Sequence, residues 1–407
     1  MAHLTKGLEL LAILPDTPNR LQHELDMLTS LGPALTTTSG PGSPAVEEVY
    51  TRARELCQQV EEPRQLFPVL WGLWRVSNYR EELQRAGELG QQLLTLAHQV
   101  QDRALLLEAH HALWPTLFYL GELAAARGHL AQGMALYDRQ DHRAHACLSG
   151  GHDPGSCCQS YTAWTLWALG YPEQALKASD RAITLAREHA HPASLAATLS
   201  YAAVLHQFRR EQEAVQQTAE ALIALATEQG DAERLARGMI LRGWALFAQG
   251  QGTEGMVQMR QGLAALQATG GEVRRQLFLP LLAEAYGGIG QSEEGLNVLA
   301  EALSAVEKSG GRFYEAELYR LRGELLLARS AEHHTEAESR FRQGLNIARR
   351  QQAKSWELRA AMSLSRLWQQ GKRDEACELL APIYGWFTEG FDTTDLREAK
   401  ALLEELS

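Results

Sequence analysis

Ala163-Trp164-Thr165-Leu166-Trp167-Ala168-Leu169-Gly170-Tyr171-Pro172-Glu173-Gln174-Ala175, followed by Ala182, is the stretch that decides the fold. It reads as the second half of one helix, a turn at Gly170, and a second helix that opens on Ala175. Ala182 lies seven residues further on, two helical turns, so it shares a face with Ala175. Small residues on that face let two helices approach closely. The same grammar returns at Gly243, Gly250, Gly255 and Gly262, and again at Ala283, Gly290, Gly295 and Ala302.

Working outward, the residue that opens each second helix is Val46, Ala86, Ala126, Ala175, Ala214, Gly255, Gly295, Ala337 and Ala376. The intervals are 40, 40, 49, 39, 41, 40, 42 and 39. A period this regular predicts an array of helical hairpins, each packed on its neighbours. Seven residues beyond the anchors stand Ala53, Leu93, Gly133, Ala182, Ala221, Gly262, Ala302, Gly344 and Ile383, and seven of these nine are Ala or Gly. Gly121, Gly170, Gly250, Gly290 and Gly371 each follow an apolar helix, where glycine supplies a left-handed cap without steric cost.

Composition agrees with an all-helical chain. Ala, Leu, Gln and Glu are abundant and β-branched residues scarce. The 407 residues carry a net charge of −11, with no Lys/Arg block. A phosphate-binding surface needs a clustered basic stripe, so nucleic-acid binding is not expected. The five cysteines have no framework spacing, which suits a reducing cytoplasm. No signal peptide or membrane span is read; Leu8 to Leu14 is short and broken by Glu9.

The pattern resembles tetratricopeptide repeats, in a long form of about 40 residues. It is similar to the sensor domain of the maltose-regulon activator. It also resembles the C-terminal arrays of bacterial signalling proteins that carry an ATPase module, sometimes preceded by a nucleotide-cyclase domain. Lys6-Gly7-Leu8-Glu9-Leu10-Leu11, the stretch from Leu66 to Trp74, and the stretch from Phe313 to Arg320 carry that likeness. The resemblance implies a right-handed superhelical solenoid, about nine hairpins with capping helices, whose first helices line a concave groove. It implies a bacterial interaction or sensor module; no Walker-type loop is present, and the sequence does not define whether the chain is a fragment of a larger ATPase or cyclase protein. Residues 1–40 read as a helical cap with a loop from Thr36 to Pro44. Residues 41–390 form the solenoid, and 391–407 a C-terminal capping helix.

One interval is irregular. The linker 138–158 holds His142, His145, Cys147, His152, Asp153, Cys157 and Cys158. These are zinc-ligand types, but no C-x2-C or H-x3-H spacing occurs, so the segment reads as a solvated or capping linker. His110 and His111 point about 100° apart on one helix and are not expected to share a metal. Neither a metal nor a cofactor is expected.

The groove is assigned by taking residues one and four beyond each mid-helix small position. This gives Trp164 and Trp167, Ala203 and His206, Trp244 and Phe247, Glu284 and Gly287. Earlier hairpins add Arg75, Asn78, Tyr79, His111, Phe118 and Tyr119; a later one adds Arg320 and Glu324. Aromatic clusters rimmed by polar groups mark binding surfaces. The expected binding set is Trp164, Trp167, His206, Trp244, Phe247, Phe118, Tyr119, Arg75 and Arg320. Gly287 and Gly288 are expected to widen the groove beside Phe247. The expected partner is a peptide, a protein or a small signalling effector. The competing reading is a weak metal-dependent hydrolase built on the linker or on groove histidines. Apolar ends at Leu8–Leu14 or Trp386-Phe387 would stack copies of the chain; the sequence does not define the oligomer.

Overall fold

The computed structural model describes residues 1–60, 63–139, 152–269 and 275–407. Among them are twenty α-helices and no strand. Helix α1 (Ala2–Leu11) precedes three pairs: α2 (Pro18–Ser39) with α3 (Pro44–Val60), α4 (Pro63–Tyr79) with α5 (Leu83–Val100), and α6 (Arg103–Leu120) with α7 (Leu123–Leu136). Beyond the irregular interval, α8 (Pro154–Ala168) pairs with α9 (Pro172–Glu188), α10 (Pro192–Phe208) with α11 (Gln212–Gln229), and α12 (Ala232–Ala248) with α13 (Gly252–Ala268). Last come α14 (Arg275–Gly288) with α15 (Ser292–Ser309), α16 (Glu315–Arg329) with α17 (His334–Arg350), α18 (Lys354–Trp368) with α19 (Arg373–Tyr384), and the lone α20 (Thr394–Leu406).

The helices start and stop where local chemistry dictates. Asp102, Asp153 and Asp231 cap α6, α8 and α12 by accepting backbone N–H bonds, and Pro154, Pro172 and Pro192 occupy first-turn positions. Eight of the nine anchors are buried against their partner helices. Where α12 crosses α13, a Cβ on Gly255 would stand 2.5 Å from the Gly243 carbonyl oxygen, so the two backbones touch.

The fifth hairpin corrects the register. Ala214 is half-buried and Ala221 exposed, while Val215 and Leu222 are fully buried with Ala219 and Ala226. Moving the anchor to Val215 makes both flanking intervals 40. The face, not the size of the side chain, defines the position. Some turns within hairpins escape the glycine rule: Glu81 and Arg210 adopt left-handed φ of 56° and 61°, and Gly371 does not have a positive φ. Helix α2 also runs on to Ser39 where a loop from Thr36 was expected. Thr36, Thr37 and Thr38 each return a hydroxyl hydrogen bond to the carbonyl four residues back.

The array curls back on itself. Between α15 and α16, the N–H groups of Arg312 and Phe313 donate to the Tyr119 carbonyl at 2.8 and 3.1 Å. Ser355 donates its hydroxyl to the Trp167 carbonyl, and Arg359 donates to the Phe208 carbonyl. The Glu389 carboxylate accepts from the Glu173 and Gln174 N–H groups at 3.0 Å, at the start of α9, where the helix dipole favours an anion. Gly170 is held at φ 90°, and a Cβ there would meet Trp386 at 2.5 Å. Phe387 is buried and Trp386 packs on Tyr171 at 5.5 Å. That pair therefore takes part in the closure within one chain, although Trp386 is still 36% exposed. Leu10, Ile13 and Leu14 are exposed.

Candidate functional site on the inner wall

Among the described residues, first helices of successive hairpins face inward and line two cavities that concern the site. The first, about 170 Å³, is walled by α4, α6, α8, α10 and α12. Trp71, Trp74, Tyr161 and Tyr201 supply its aromatic surface, and Arg75, Arg234 and Arg237 its cations. Tyr79 donates to Glu233 at 2.7 Å across 154 residues of chain, latching the second hairpin to the sixth. Arg234 pairs with Asp231 and Arg237 with Glu233. Arg75 has no carboxylate partner among the described residues, and burial holds its pKa below the usual value. An arginine in that state is poised to receive an anion.

One wall of this cavity is unusually rich in chemistry. His111 is buried between the Trp114 ring, stacked at 4.7 Å, and Trp71 at 5.4 Å. Its Nδ1 lies 3.1 Å from Glu108 Oε2. Ligand atoms of His111, His152 and Cys157 all lie within 4.8 Å of one another. Burial works against a charge on His111, but Cys157 and Glu108 hold its pKa up, to about 10. His110 points elsewhere and meets His129 at 2.8 Å, as the angle between the two side chains requires. Asp153 caps α8 and accepts from Tyr137 at 2.9 Å. His142, His145 and Cys147 lie outside the described residues. The sequence reading singled out His152 and Cys157, and separately His111, without bringing them together. Helix period alone could not show that α6 and the start of α8 face each other.

The second cavity, about 120 Å³, lies between α10, α12, α14, α16, α18 and α20. It is an ion-pair network. Arg320 binds Glu317 at 2.7 Å, and Arg359 binds Asp395 at 2.8 Å and Glu317 at 3.5 Å. Trp244 borders it and donates its indole N–H to Glu284 at 3.3 Å.

The expected groove residues divide. Arg75 lines the first cavity, and Trp244 and Arg320 the second. Phe118, Tyr119, Trp164 and Trp167 are buried instead, which corrects their expected placement. Phe118 meets Phe313 at 4.0 Å, and Trp167 stacks on Phe208 at 4.7 Å. The Trp164 indole donates to the Tyr201 carbonyl at 2.9 Å. The groove rule treats each inner face as open, whereas the closure covers Phe118, Tyr119 and Trp167 and neighbouring hairpins cover Trp164. His206 binds Glu211 at 2.6 Å. The Phe247 ring fills the space beside Gly288, and Leu325 that beside Gly287, so these glycines admit neighbouring side chains rather than widen a groove. The sequence reading missed Trp71, Trp74, Tyr161, Tyr201, Arg234 and Arg237.

The hairpin order and the small-residue crossings define an α-helical solenoid of the tetratricopeptide type. No family model matches the chain. It is 27% identical over 367 residues to an uncharacterized protein of Rhizobium meliloti (strain 1021), a match over 89% of this chain and 35% of that relative. The chain thus spans about a third of the length of that curated relative. Among solved structures it is similar to a Rap protein complexed with Competence and Sporulation Factor. That likeness has a TM-score of 0.59 and 10% identity, and it covers 96% of this chain and 100% of that one. A weaker likeness, TM-score 0.41 at 12% identity, is to a signal transduction ATPase with a tetratricopeptide repeat sensor from Pyrococcus horikoshii. It covers 88% of this chain and 54% of that one. No helix among the described residues is long and apolar enough to cross a membrane.

Proposed function

We propose that this chain is a non-enzymatic binding module that takes a peptide on its inner wall and fixes a peptide carboxylate with Arg75. The carrying observation is Arg75 itself: a half-buried arginine, without a carboxylate partner among the described residues, facing a cavity with aromatic walls. A charge so placed gains most from a ligand that brings the opposite charge. Trp71, Trp74, Tyr161 and Tyr201 supply apolar contact at little entropic cost. The likeness in fold to a Rap protein complexed with Competence and Sporulation Factor supports a peptide as the ligand class. Within a larger signalling chain, such a module would report the peptide to an effector.

The test is panning of a random peptide pool, offered once with free C-terminal carboxylates and once amidated, against the wild-type chain and Arg75→Gln. Enrichment from the free-acid pool that Arg75→Gln abolishes is the expected result. Equal enrichment from both pools, or none from either, refutes the proposal.

A further inference from the structure

We infer that His111, His152 and Cys157 form a zinc-binding site that opens onto the first inner-wall cavity. The three come from separate places: His111 from the middle of α6, Cys157 from the first turn of α8, and His152 from the segment just before it. Folding alone brings their ligand atoms within 4.8 Å of one another. A tetrahedral zinc ion, with bonds of about 2.0–2.3 Å, spaces its ligand atoms about 3.5 Å apart. Side-chain movements of about 1 Å close the difference without moving either helix.

The surroundings fit a metal-binding histidine. An ionised carboxylate only accepts hydrogen bonds. Glu108, 3.1 Å from His111 Nδ1, therefore holds a proton on that nitrogen, so that Nε2 is the atom that would exchange its proton for a metal. A carboxylate behind an imidazole is how protein scaffolds orient zinc-bound histidines. His111 and Cys157 are buried, and His152 is half-exposed, which leaves an entry path.

The donor set selects the metal. One thiolate and two imidazoles suit zinc and not magnesium or calcium, which require oxygen. All three zinc ligands are cavity-lining residues, so a fourth coordination position falls on the cavity side, open to water or to a ligand carboxylate. The site does not depend on the peptide reading, and its failure would leave that reading untouched.

The experiment uses the full chain, stripped with a chelator and titrated with Co²⁺ and then Zn²⁺. Expected are one Co²⁺ per chain, a thiolate-to-cobalt charge-transfer band, the strong visible bands of a tetrahedral ion, and loss of both on adding one equivalent of Zn²⁺. Cys157→Ser removes the charge-transfer band. Glu108→Gln lowers affinity by roughly 10–100-fold, and His152→Ala by more. His152 stands outside the helices, so its replacement keeps the test readable if Cys157→Ser misfolds. Failure to bind one metal per chain, or affinity unchanged in folded His152→Ala, overturns the inference.

Discussion

Replacing Trp167 by alanine separates a groove ring from a core ring. Trp167 is 2% exposed, stacked on Phe208 and set edge-on to Trp356 at 4.7 Å in each case. The Arg359 guanidinium lies 5.4 Å from its ring centroid. A buried tryptophan removes about 150–250 Å² from water, which at about 25 cal/mol per Å² sets an upper value of about 4–6 kcal/mol. Truncations of buried Phe or Trp to Ala cost about 3–5 kcal/mol, and that is the loss expected here. Trp356 belongs to the ninth hairpin and Trp167 to the fourth, so the loss falls on the closure. Urea unfolding, with midpoint and slope read together, gives the stability. Small-angle scattering of the folded variant should report a larger radius of gyration. A double-mutant cycle with Trp356→Ala should return a coupling of about 0.5–1.5 kcal/mol. A loss below about 1 kcal/mol, the ordinary cost of a substitution, with an unchanged radius would refute the packing argument.

Gly255→Ala forces a methyl group against backbone atoms of Gly243 and Phe247 and should cost about 1–3 kcal/mol or more. Gly128→Ala, with nothing within 4 Å of its Cβ, should stabilise α7 by up to about 1 kcal/mol; matching melting temperatures would sink this contrast. Burial, then the neighbouring His129 and His98, depress the His110 pKa from 6.5 to about 4. The folded state therefore binds fewer protons than the unfolded one in that window, so stability is complete above pH 6.5 and declines toward pH 4. His110→Gln should flatten that limb of a pH–stability curve, and an unchanged slope would exclude His110 as its source.

The period of the anchors carried the architecture because the crossings of paired helices recur with it. Val46, Ala86, Ala126 and Ala175 are buried where the pattern puts them. The fifth hairpin slipped by one residue because Ala214 is small but faces the wrong way, and Arg210 supplies the turn that glycine supplies elsewhere. Arg75 was legible from helix phase. The inward face of α8 was not, because contacts such as Ser355 with Trp167, 188 residues apart, have no local signature. The meeting of His111 with Cys157 has the same origin. Each residue follows its own helix period, and only the superhelical path sets the two periods in register.

The seam between late and early hairpins changes how the chain comes apart. A linear stack of repeats melts from either end, because each terminal unit has one neighbour. Here the C-terminal hairpins are riveted to the middle of the array by Glu389, Arg359 and Ser355, whereas α1 contributes no buried residue. Fraying is therefore polar: the N-terminal end loosens alone, while the C-terminal end lets go only when the centre does. Loops that must close over such distances also raise the entropic barrier to folding. The inner wall is thus the last part of the molecule to be built, and the part whose exposure demands the largest cooperative opening.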